Sequence, residues 1–159
     1  MARGGVELRP VQDGDLDAVF AQMRDPEAVR MAAFVSRDPD DRAAFDEHMA
    51  RIRARADTQV LAVVVDGVVV GTAGSFLVEG DTEITYWIDR AWWGRGVASE
   101  AVELLVASLG VRPVHASAAS DNVGSLRVLE KAGFRVVGTA HGFAGARGEE
   151  IEETLLRLD

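Results

Sequence analysis

Residues 94–99 read Gly-Arg-Gly-Val-Ala-Ser, a glycine turn between a strand-like run and a helix-like run. A chain that turns on glycines into a helix exposes several backbone N–H groups at the helix start. Together with the helix dipole they make an anion site. Gly94 and Gly96 permit unusual dihedrals and let a phosphate approach the backbone. Arg95 adds a cation, and Ala98 and Ser99 are small enough to keep the first turn open. The pattern is not a P-loop, because no lysine follows the glycines. Nor is it a dinucleotide fingerprint, which follows the first strand of a βαβ unit. By itself a Gly-x-Gly corner is as readily structural as functional. All three tryptophans, Trp87, Trp92 and Trp93, stand just before it.

The elements that must position this turn follow from the hydrophobic period. Residues 6–9 alternate like a first strand. Asp13 or Asp15 can cap a helix with Leu16, Val19, Phe20 and Met23 on one stripe. Pro26 restarts the chain as a short helix through Met31, and residues 36–41 are a turn cluster. A helix begins at Asp40 or Asp41 and runs to about Ala54. The period then changes to two. Runs 58–65 and 68–77 are joined by Asp66-Gly67, a strong hairpin signal. A turn at Gly80-Asp81 leads to a third strand over 82–88. Next come a helix over 97–109, a strand over 114–118, and a helix over 122–132 closed by Gly133. Runs 134–139 and 150–158 read as closing strands. This order predicts one domain spanning 1–159, of α/β (α+β) class: a mixed, mostly antiparallel sheet of six to seven strands under about four helices.

Composition narrows the function. The chain has 159 residues, 48% hydrophobic and 27% charged, which suits a globular domain. The net charge of -9 argues against nucleic acid as a partner and for a cationic one. There is no cysteine, which removes disulfides, thiolate metal sites and a thiol nucleophile. His48, His115 and His141 lack metal-ligand spacing, so no metal is expected. No apolar run is long enough to span a bilayer and no export signal is evident, so no membrane association and a cytoplasmic location are expected.

A second motif, Ser-Asp-Asn-Val-Gly-Ser-Leu-Arg-Val-Leu-Glu-Lys-Ala-Gly-Phe, covers residues 120–134. Together with residues 86–101 it resembles the GNAT superfamily of acetyl-CoA-dependent N-acetyltransferases, and within it the RimJ/RimL-like branch that acetylates protein N-termini. The resemblance follows the whole chain in element order and is motif-specific over roughly residues 83–134. It implies the GNAT fold, with acetyl-CoA as cosubstrate. The family's pyrophosphate loop falls on Trp93, Gly94, Arg95, Gly96, Val97 and Ala98. Backbone amides of 95–99, Ser99 included, would then face the pyrophosphate. Trp93 stands where most of the superfamily has Arg or Gln, which removes one side-chain contact. The strand end at Tyr86, Trp87 and Ile88 would splay from its neighbour and offer main-chain groups to the pantetheine amides. Asn122 and Ser125 would face the thioester.

The reaction implied is attack of an amine on a thioester. An α-amino group of pKa about 8 is roughly a tenth neutral at pH 7, and a lysine far less. A base contributes typically about 10²–10⁴-fold, and the leaving thiolate benefits from a donor. By resemblance Glu83 is the base and Ser125 the acid. The tyrosine acid of many relatives is replaced by Leu129. Each has a plainer reading: Glu83 as a strand-pair carboxylate, Ser125 as a first-turn serine and Asn122 as an N-cap. Tyr86 reads as core, His48 as surface, His115 as structural, and His141 as a loop histidine near the acceptor. The acceptor is an amine, either a peptide N-terminus or a small molecule. The alternatives are a catalytically idle CoA-binding regulatory domain and a scaffold associating through Trp92; a homodimer is compatible with these features.

Overall fold

The computed structural model describes residues 3–35 and 38–159, so Ser36 and Arg37 of the expected turn cluster lie outside the described residues. Seven strands form one sheet: β1 (Val6–Pro10), β2 (Gln59–Val65), β3 (Val68–Val78), β4 (Asp81–Ile88), β5 (Val114–Ala119), β6 (Arg135–Ala144) and β7 (Glu149–Leu158). Their order is β1-β2-β3-β4-β5-β7-β6. Every neighbouring pair is antiparallel except β4 and β5. The helices are α1 (Leu16–Met23), α2 (Pro26–Ala32), α3 (Arg42–Ala54), α4 (Val97–Ser108) and α5 (Val123–Lys131). That makes five α-helices among the described residues where about four were expected; α2 is a full, capped helix.

Local chemistry explains the boundaries. Asp25 and Asp41 accept from the amides of Ala28 and Ala44 (2.9 and 3.0 Å), so each caps its helix. Asp66 (φ 50°) and Gly67 (φ 77°) make the left-handed pair that a tight hairpin needs. The next turn is centred on Glu79-Gly80, one residue earlier than expected, because those two residues hold the positive φ. Glu149, Glu150, Glu152 and Glu153 lie on β7, an interior strand, and β6 forms the sheet edge.

Both sheet faces are covered. Strand β2 therefore reads Gln-Val-Leu-Ala-Val-Val-Val, with almost no polar interruption. Leu61, Val63 and Val65 pack with Val102 and Leu105 of α4 and Leu129 of α5, whereas Ala62 and Val64 pack with Val19 of α1 and Phe45 and Met49 of α3. Each fully buried Val or Leu contributes roughly 1.5–3 kcal/mol. Leu129 is fully buried, so the position that carries an acid in many relatives is core here.

Asp15 does not cap α1 directly. A 3₁₀ turn at Asp13–Asp15 precedes the helix. The buried Asp15 carboxylate takes two hydrogen bonds from Arg9 (2.7 and 3.0 Å) and one from the Gln12 amide (2.8 Å). The Arg9 guanidinium, helped by that amide, holds the Asp15 carboxyl below its ordinary value against the opposing effect of burial. A depressed folded pKa stabilises the fold above the unfolded value and loses that contribution as pH falls through the folded one. Asp15→Asn is thus expected to lower unfolding stability by about 2 kcal/mol at pH 7. In urea titrations the deficit should shrink at pH below the usual carboxylate range; a pH-independent deficit would contradict the ion-pair account.

Candidate active site

Strands β4 and β5 pair only at Thr82↔Val114 and Glu83↔His115. Beyond Glu83 the two strands diverge, although β4 continues to Ile88 and β5 to Ala119. The facing edges over 84–88 and 116–119 thus have no ladder partner across the gap. Such an edge pairs readily with an extended amide-bearing ligand. A groove of about 700 Å³ runs through the opening.

At one end of the groove lies the glycine turn. Gly94 (φ 74°) and Gly96 (φ 76°) both hold left-handed backbone, which glycine alone adopts without cost. Gly96 is the N-cap of α4 and, having no side chain, leaves the helix start without a side-chain cap. The first amides of α4 have no intrahelical acceptor. Gly94, Gly96, Val97, Ala98 and Ser99 all line the groove. Arg95 does not: its guanidinium lies over the Trp92 ring, 5.0 Å from the centroid. Arg3, from a segment remote in sequence, also reaches the turn, without lining the groove. Its Nε donates to the Arg95 carbonyl (2.8 Å) and its Nη1 to Glu100 (3.1 Å). Glu100 also accepts from the Val6 amide (2.6 Å), which ties β1 to α4.

The tryptophans divide their roles. Trp87 lines the groove and donates to the Gln22 carbonyl (3.2 Å). Trp93 lines it too and donates to the Ile88 carbonyl (2.8 Å), so that carbonyl on the free β4 edge already has one partner. Trp92 packs against the main core and is only partly exposed, which does not suit the scaffold contact expected of it.

At the other end stand the hydroxyls. Asn122 caps α5, accepting from the Ser125 amide (3.2 Å) and donating to the Met31 carbonyl (3.3 Å). Its plainer reading as a cap is correct, and it also lines the groove. Ser125 Oγ lies 2.5 Å from the Tyr86 hydroxyl, and both residues line the groove. Burial pushes the Tyr86 phenol up, against a smaller lowering by Ser125, so it stays protonated at neutral pH. The sequence pattern placed Tyr86 in the core. Its ring does pack there, but its hydroxyl emerges at the groove. Strand alternation alone could not reveal this, because it fixes a face and not how far a long side chain reaches.

Glu83 sits where β4 and β5 part but lines neither the groove nor the neighbouring cavity. Burial raises its carboxyl pKa, His115 lowers it, and Glu153 and Asp81 raise it further. Its register partner His115 lies 4.0 Å from Asp81. His141 is exposed on β6 and lines neither space. His48, expected at the surface, is partly buried, lies 3.1 Å from Arg51 and lines the second cavity. Its place on α3 left this unmarked in the sequence. Among the described residues, no group of three or more side chains could hold a metal ion. Among the described residues, no helix is long and apolar enough to cross a membrane.

The acetyltransferase (GNAT) domain family matches residues 6–135, from β1 through the start of β6. The chain belongs to the GNAT acetyltransferase family. It is 31% identical over 97 residues to an "Uncharacterized N-acetyltransferase p20" of Bacillus licheniformis, covering 57% of this chain and 54% of that protein. It is 37% identical over 83 residues to a "Probable N-acetyltransferase YjcK" of Bacillus subtilis (strain 168), covering 47% and 46%. The chain thus spans about half the length of the curated relatives it matches. The fold superposes on Mycobacterium smegmatis RimJ in complex with CoA-disulfide with a TM-score of 0.82, at 20% identity, over 99% of this chain and 84% of that one.

Proposed function

We propose that this GNAT chain, RimJ/RimL-like in its motifs, is an N-acetyltransferase that transfers acetyl from acetyl-CoA to a primary amine, a peptide N-terminus or a small molecule. The observation that carries this reading is a single groove holding an uncapped, glycine-started helix, an unpaired strand edge and a hydroxyl pair. These residues fit the donor chemically. The amides of Val97, Ala98 and Ser99 suit a pyrophosphate, and Arg3 supplies the nearby cation. The free edge of β4 suits the amides of an extended arm. The bound cosubstrate supplies the activated acyl group.

The chain's own residues then divide the proton work. The amine nitrogen bonds to the acyl carbon as the carbon–sulfur bond breaks. Glu83, raised by burial toward the working range of a base, takes the amine proton through water at the apex of the splay. Ser125 gives its hydroxyl proton to the departing sulfur. Tyr86, held protonated by burial, replaces that proton through the hydrogen bond they share and regains its own from water, while Glu83 releases the amine proton to solvent.

Titration calorimetry with acetyl-CoA, and thiol release in the presence of an amine panel, test this. Binding and amine-dependent thiol release are expected; no binding at high micromolar acetyl-CoA would remove the reading. Glu83→Gln should lower turnover at neutral pH and leave acetyl-CoA affinity intact, and an unchanged rate would free Glu83 from its role.

A further inference from the structure

A second cavity, of about 490 Å³, opens on the opposite side of β4. It meets the groove at Phe34, Val35, Thr85, Tyr86 and Trp87, which line both spaces. A molecule held in it would reach the acyl end of the groove beside the Tyr86–Ser125 hydroxyls. It is therefore the acceptor site of the proposed acetyl transfer, and the identity of its occupant rests on that reading.

The chemistry of the walls restricts the occupant. Phe20, Met23, Phe45, Met49 and Ile52 of α1 and α3 form one side. Among the described residues, the strand side offers only uncharged polar groups: the hydroxyls of Thr72, Ser75, Thr85 and Tyr86 and the carboxamide of Gln59. Asp38 is the sole carboxylate in the lining among the described residues, and it is exposed. The lining cations Arg51 and Arg55 are exposed as well, and Arg55 is paired with Asp57 (3.0 Å). An ammonium taken from water into such walls without a carboxylate is heavily penalised. A polycationic acceptor would bring several. A neutral amine on an apolar body gains from the same walls, and neutral is the form that attacks. The volume suits a small molecule.

We propose that the acceptor is a small primary monoamine on an apolar body of aromatic size, and that polyamines and aminoglycosides are poor substrates. Residues 33–35 are held to the β6–β7 hairpin by the Ala146 amide on the Ala33 carbonyl (3.0 Å), and Arg147 bonds the Arg30 carbonyl (3.0 Å) and pairs with Asp121.

The test compares kcat/KM for 2-phenylethylamine, spermidine, kanamycin and a short peptide with a free N-terminus, by thiol release at saturating acetyl-CoA. Burying a phenyl-sized group predicts at least about 30-fold preference for 2-phenylethylamine over spermidine. Leu77→Asp, which places a carboxylate at an exposed position lining only this cavity, should cut that preference about tenfold with acetyl-CoA affinity kept. Preference for spermidine, kanamycin or the peptide, or acetyl-CoA binding with no amine turned over, would overturn the proposal and leave cosubstrate binding standing. Absence of acetyl-CoA binding in calorimetry would instead overturn the proposed function beneath it.

Discussion

Gly96→Val is expected to weaken acetyl-CoA binding by about a hundredfold or more. Gly96 holds φ 76° at the N-cap of α4, and a Cβ built there meets Arg3 Nη2 at 3.4 Å. A β-branched side chain would stand over the first amides of the helix and crowd Arg3 beside them. A hydrogen bond to a charged group contributes about 1.5–3 kcal/mol, so losing two exceeds the roughly 2.8 kcal/mol that separates hundredfold affinities. The substitution also costs about 1–2 kcal/mol of stability, because a side chain at positive φ crowds its own carbonyl. Thermal unfolding reads that smaller loss separately from calorimetric affinity. A folded Gly96→Val protein with intact acetyl-CoA affinity would show that the turn is a structural corner and not a phosphate cradle.

Tyr86→Phe is expected to lower kcat about a hundredfold, at the lower end of what a positioned proton donor contributes, with acetyl-CoA affinity unchanged. The ring and its packing remain, and only the hydroxyl that meets Ser125 at 2.5 Å is lost. Ser125→Ala should cost a similar factor, and the double variant little more, because the two hydroxyls act in series. The sign of the pH dependence follows from the raised phenol. Its proton is present throughout the neutral range and leaves only above the ordinary tyrosine value of 10.0. The wild-type rate should therefore show no loss from this group until strongly alkaline pH. Full turnover by Tyr86→Phe across neutral pH would reduce the tyrosine to a packing residue.

Most of the frame was legible in the residues. Element order followed from period: the two-residue alternation of the β2–β3 hairpin, the positive-φ pair Asp66-Gly67, Pro26 at the start of α2, the aspartates ahead of α3, and Gly133 after α5. These signals are local, written within a few residues of what they specify. The glycine turn was legible for the same reason, since its backbone geometry and the free amides of the helix start belong to one short segment.

The site drew in groups that no local pattern connects. Arg3 reaches the glycine turn because β1 lies beside β2 at one end of the sheet and Glu100 of α4 holds the incoming strand. Arg95, the cation expected at the turn, lies over Trp92 instead, since an exposed guanidinium with an aromatic face beside it can stack there. Tyr86 meets Ser125 only because β4 and α5 pack across one core. The acceptor cavity needs α1, α3 and the β3–β4 hairpin in place together. By itself the sequence determined which segments are strands and helices and where the glycine turn enters α4, because those depend on neighbours along the chain. Only the tertiary structure decided where β4 and β5 part, which side chains meet in the opening, and how apolar the acceptor cavity is. Those depend on contacts between residues far apart in sequence, which no local periodicity encodes.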